Sequence, residues 1–69
     1  MTQKELSYVE DAIGHEKNII KMIDVTISNL EDDNLISFMQ EELTKHDTMH
    51  EKLINLLEEK SHEWSVINR

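Results

Sequence analysis

The chain has no cysteine, no proline, a single glycine and only 4% aromatic residues. Without cysteine there can be no disulfide, thiol nucleophile, zinc ribbon or iron–sulfur ligation, and the redox compartment leaves no mark on the sequence. Without proline, and with glycine confined to position 14, almost nothing interrupts a helix. Basic residues are scarce as well: seven Lys and Arg stand against fifteen Asp and Glu, a formal net charge of -8. Binding to phosphate backbones needs a basic stripe that releases counterions, so nucleic acid is not an expected partner. An anionic membrane surface is disfavoured for the same reason. Long apolar runs are also missing, with nothing near the ~18 residues of a spanning helix. The opening run MTQKELSYVED holds no apolar core of signal-peptide length. These absences lead to the expectation of a soluble cytoplasmic protein.

What is present is helical periodicity. At 69 residues the chain is one small domain, and its core is thin enough to need a metal or a partner chain as reinforcement once disulfides are gone. The cluster Glu31-Asp32-Asp33-Asn34 divides it into two halves, and Asp32, Asp33 or Asn34 can cap the second helix. In the first half Leu6, Val9, Ile13, Glu16, Ile20, Ile23, Ile27 and Leu30 advance by alternating steps of three and four, the spacing of a helix-packing seam. In the second half Ile36, Met39, Leu43, His46, His50, Leu53 and Leu57 keep the same rhythm, and Leu35, Phe38, Met49 and Leu56 widen the stripe to one side. The pattern predicts an all-α antiparallel hairpin, with helices over about 3–30 and 34–62 and a turn at about 31–34. Two helices cover each apolar stripe on one side only. The second stripe therefore predicts further helices, most simply from a second copy of the chain, giving a homodimeric four-helix bundle. Gly14 sits well off the seam, where a close contact between chains and a neutral position are both compatible with it.

The informative residues are the polar ones that interrupt the seam. Glu16 falls near the centre of the apolar arc of the first helix, and His46 at the centre of the second, with Glu42 and His50 each about 40° to either side. If the chain reverses near residues 32 and 33, residue 16 lies opposite residue 49, so Glu16 shares a layer with His46 and His50 while Glu42 lies a turn nearer the loop. A buried carboxylate needs a proton, a hydrogen-bond donor or a cation. Two readings follow. In one, Glu16 is hydrogen-bonded to His46 or His50 in a polar network that fixes helix register and pairing. In the other, two-fold symmetry doubles Glu16, Glu42, His46 and His50 around the bundle centre, and four carboxylates with imidazoles suit two iron or manganese ions. The usual Glu-x-x-His spacing of di-iron bundles is not met, because Glu42 precedes His46 by four residues and Asp47, correctly spaced from His50, falls at the edge of the arc.

The remaining polar residues read as solvated. His15 lies about 100° from Glu16, His62 is near the end of the second helix, and Glu41, Glu58, Glu59 and Glu63 read as outer faces, with Glu41 and Lys45 spaced for an ion pair. Met22, Met39 and Met49 read as core fillers and Trp64 as a cap on the bundle end or a contact with the partner chain. No Ser-His-Asp order, phosphate loop or glycosidase-like carboxylate setting is present.

The run Glu16-Lys17-Asn18-Ile19-Ile20, the run from Glu41 through His46 and His50 to Glu51-Lys52-Leu53, and Trp64 soon after resemble the coat F family of bacterial spore proteins over roughly residues 5 to 64. At the end, Ser61-His62-Glu63 precede Trp64 where that family tends to show Gly-Trp-Tyr. The resemblance implies half of a ferritin-like bundle, a helical oligomerising protein of the spore coat with other coat proteins as partners and no established enzymatic role. Ferritin-like ancestry also carries the second possibility, a di-metal protein whose chemistry would be ferrous iron oxidation or reaction with peroxide. A third is an adaptor whose exposed seam accepts a helix from a different protein.

Overall fold

In the computed structural model the chain forms two helices, α1 (Gln3–Asn29) and α2 (Asp33–Ile67), and no strand among the described residues. The structure describes the backbone of residues 1–67 and the side chains of residues 1–60; the roles expected of His62, Glu63 and Trp64 lie outside the described residues. The predicted antiparallel hairpin is thus present, and α2 continues past residue 62 to Ile67.

Each helix begins with a cap. Thr2, in extended conformation, accepts the Glu5 amide on its hydroxyl at 3.0 Å, while the Thr2 amide donates to Glu5 Oε1 at 2.8 Å. This reciprocal box satisfies donors that the first turn leaves free. The Thr2 amide, and after it the Thr2 hydroxyl, hold the Glu5 carboxyl below its usual range. At the start of α2 the capping residue is Asp32: its Oδ1 accepts the Leu35 amide at 3.0 Å and its carbonyl accepts the Ile36 amide at 3.0 Å. The end of α1 has neither glycine nor a basic side chain in its last turn. Instead Thr26, Ser28 and Asn29 donate to the carbonyls of Met22, Asp24 and Val25, and Leu30 leaves the helix with extended dihedrals.

The seam matches the periodicity. Leu6, Val9, Ile13, Glu16, Ile20, Ile27 and Leu30 on α1 and Ile36, Met39, Leu43, His46, His50, Leu53 and Leu57 on α2 are all half-buried, and Ile23 is the one fully buried residue among those described, at 6% exposure. A core this sparse reflects the shape. The hairpin measures 55 × 15 × 12 Å with a radius of gyration of 16.0 Å, against about 11 Å for a compact domain of the same length.

The two faces flanking the seam differ. In an antiparallel pair, the positions just before the seam residues on both helices lie on one side and those just after them on the other. One side carries Tyr8, Ala12, His15, Ile19 and Met22 of α1 beside Leu35, Phe38, Glu42, Lys45, Met49 and Leu56 of α2. That the two rows adjoin is seen in a shallow hollow of about 180 Å³ where Glu5 and Val9 meet Leu56, Leu57 and Lys60. Six of the seven large exposed hydrophobic residues among those described sit on this side, Met22 at 68% and Phe38 at 56% exposure among them; the seventh, Val25, is on the outer surface of α1. Apart from Ile54, which is half-buried, the other side is polar, with Ser7, Glu10, Lys17, Lys21, Asp24 and Ser28 on α1 and Ser37, Gln40, Thr44, Asp47, Glu51 and Glu58 on α2. Met22 and Met49, expected in the core, are therefore surface residues of a single chain, whereas Met39 is in the seam. Gly14 is on the polar side, and a Cβ there would meet nothing within 4 Å.

Candidate functional site

A long-range polar contact in the seam joins the middles of the two helices. His46 Nδ1 lies 2.5 Å from Glu16 Oε2, with 29% and 18% of the two side chains still exposed. A carboxylate oxygen accepts, so Nδ1 carries the hydrogen in this bond. Glu16 is placed by Ile13 and Ile20 on neighbouring turns of the same stripe and His46 by Leu43 and His50, so the layer on the loop side of the pair is aliphatic and the next one away from the loop carries Ile13 with His50. Their mutual bond replaces the water each gives up on entering the seam.

The pairing fixes the register and corrects the expected one. Residue 16 faces residue 46, not residue 49, because α1 stops at Asn29 and α2 starts at Asp33, so the reversal is centred near residue 31. In this register His50 falls opposite Ile13, a turn farther from the loop than the Glu16–His46 pair. Glu42 faces away from the pair as well. It accepts from Lys45 Nζ at 3.3 Å, which also replaces the expected Glu41–Lys45 pair by one with closer spacing. An exposed pair of this kind adds little to stability.

Of the four residues expected around a common centre, the structure thus brings Glu16 and His46 together and leaves Glu42 and His50 apart from them within one chain. Among the described residues no group of three or more His, Asp or Glu side chains converges as metal ligands would. His15 is exposed on the apolar side of the hairpin. No described helix is long and apolar enough to cross a membrane.

Sequence reasoning missed the α1 half of the apolar side. Tyr8, Ala12, Ile19 and Met22 form a row at steps of three and four that is broken by His15, so it does not stand out until the hairpin sets it beside Leu35, Phe38, Met49 and Leu56. Compared with protein-family models, curated proteins and solved structures, the chain shows no match.

Proposed function

We propose that the chain is one half of a small oligomeric helical protein with a structural or interaction role, in which a second copy covers the apolar side and completes a four-helix bundle of ferritin-like layout. The observation that carries this reading is the one-sided exposure of Tyr8, Met22, Leu35, Phe38, Met49 and Leu56. Its scale supports the same conclusion. A compact monomer of this mass exposes about 4500 Å², whereas the hairpin exposes 5580 Å². The excess of roughly 1000 Å² is comparable to the ~800 Å² that each partner of a standard interface buries.

In this reading the Glu16–His46 bond is a device of register. Sliding one helix past the other by a turn so that Glu16 faces Leu43 would bury each group without its partner, at a cost of about 1–3 kcal/mol apiece, so that slip is disfavoured; in the opposite slip His50 would take the place of His46. The resemblance to coat F proteins supports a spore-coat setting for such a bundle. The test of the oligomer is the double substitution Met22→Glu and Phe38→Glu, which leaves the seam untouched. It should turn a dimer into a folded single hairpin or unfold it, as read by light scattering and circular dichroism; a variant with unchanged mass and helicity refutes the assignment of this side.

A second reading rests on the same contact. Glu16 and His46 are a carboxylate and an imidazole already adjacent, and a second copy would add another such pair, with Glu42 and His50 on neighbouring turns, as a donor set for iron or manganese. Metal held by both Glu16 Oε2 and His46 Nδ1 would have to break the bond between them, and Glu42 would have to leave Lys45, so it is the less direct use of these groups. If it binds, ferrous or manganous ions should raise the melting temperature of the protein and Glu16→Ala should abolish the rise. Identical melting with and without each ion removes this reading.

A further inference from the structure

The proposed bundle leaves open how the two hairpins face each other, and the charges within the apolar side decide between the two symmetric ways. We infer that the hairpins stack with their turns at opposite ends of the bundle, α2 against α2 and α1 against α1, so that Glu42 of each chain meets Lys52 of the other. This inference rests on the oligomer reading above and specifies its interface.

Two hairpins can lay the same side together about a two-fold axis along the bundle or across it. With the axis along the bundle, the turns share one end and α2 of each copy packs on α1 of the other at the same height. Glu42, Lys45 and Lys52 then face the partner's Ile19, His15 and Tyr8. The α1 row offers no carboxylate to either lysine at those heights, since its nearest acid on this side, Glu5, is engaged in the cap of α1. Glu42 and Lys45 then keep only each other, while Lys52, brought against Tyr8, loses water without return.

With the axis across the bundle, the α2 row runs against its own reverse. Its order is Leu35, Phe38, Glu42, Lys45, Met49, Lys52, Leu56. With the axis at the height of residue 47, Phe38 meets Leu56, Glu42 meets Lys52, the aliphatic stem of Lys45 lies over Met49, and Leu35 at the end of the row lies beside Glu59. On α1 the same operation sets Tyr8 against Met22 and Ala12 against Ile19, with His15 beside the axis. The axis then passes close to the middle of α1 (Gln3–Asn29), so the two copies overlap over nearly the whole of that helix. Every charged group of the central α2 row acquires a partner of opposite sign or keeps the one it has, since Glu42 retains Lys45 of its own chain. The two Glu16–His46 pairs come to nearly the same height on either side of the interface.

The absence of cysteine from the chain makes a direct distance measurement simple. A spin label on Glu31→Cys, in the exposed turn, should report a separation of roughly 50 Å across the dimer, from the ~1.5 Å rise per residue on either side of the axis. Turns at one end would bring the labels within roughly 20 Å, two helix spacings, and would overturn the inference. Charge exchange gives a second readout. Glu42→Lys and Lys52→Glu alone should each weaken association by about tenfold or more, and the two together should restore it to within a few-fold of the original. Additive losses in the double variant overturn the Glu42–Lys52 pairing. A labelled protein with no dipolar coupling that sediments as a single chain overturns the oligomer reading and this inference with it, whereas a dimer with a short label distance overturns this inference alone.

Discussion

Replacing Glu16 and His46 by leucine, singly and together, tests whether their contact is a real coupling in the folded protein. A hydrogen bond to a charged group contributes about 1.5–3 kcal/mol when well shielded. Here 18% and 29% of the two side chains remain exposed, so water competes for both and the coupling falls to about 1–2 kcal/mol. Each single change removes that bond and leaves the other group half-buried without its partner, a loss only partly offset by the apolar contacts of the new leucine. Each single variant should therefore be less stable than the parent by about 1 kcal/mol, which for a domain of this size lowers the melting temperature by about 4–8 °C. The double variant leaves His50 as the one polar residue of the seam from Leu6 to Leu57 and should melt at or above the parent. The assay is thermal and urea unfolding followed by circular dichroism at one fixed protein concentration, because association makes stability concentration-dependent. Effects of the two single changes that add to within about 0.5 kcal/mol in the double variant would show no coupling and refute the pairing. If the pair sets register, amide spectra of the double variant should contain extra or broadened resonances along the seam where the parent shows one set.

Two further outcomes concern the helix ends and surfaces. Gly14→Ala should stabilise the fold by about 0.5–1 kcal/mol through helix propensity alone, since a Cβ there meets nothing, and should leave the oligomeric mass unchanged because the position lies on the polar side; urea unfolding and light scattering check both. The Glu5 carboxyl, held low by the Thr2 amide, contributes stability that is present above its unfolded value and is lost as pH falls through its lowered folded value. The Thr2 amide resonance should therefore shift in an acid titration with a midpoint below 4.5, the usual value for Glu, and Glu5→Gln should abolish that titration.

The seam was legible because it depends on residue spacing alone. Steps of three and four from Leu6 to Leu30 and from Ile36 to Leu57 coincide with the half-buried positions, and the polar interruptions at Glu16 and His46 stand in contact. The register across the turn was less legible. Asp32, Asp33 and Asn34 can all cap a helix, and each choice shifts the residue facing Glu16; only the Asp32 carboxylate on the Leu35 amide resolves it. That displacement is why His50 does not join the pair in one chain, whereas Glu42 lies nearer the loop than the pair in either register. The partner of Lys45 was ambiguous for a similar reason, since Glu41 and Glu42 are both within reach on a helix. The cap at Thr2 had a readable signature, a threonine three residues before Glu5. The apolar side of α1 was hidden because a row carrying His15 and Ala12 between Tyr8 and Met22 is not a stripe by itself, and it acquires meaning only beside the exposed residues of α2.

The central claim is that this hairpin does not stand alone. Sedimentation equilibrium of the unmodified protein across a hundredfold range of concentration tests it most directly. A mass twice the 8.2 kDa of the chain, falling toward the single-chain value only on dilution, is the predicted result. A folded species of 8.2 kDa at every concentration would contradict it.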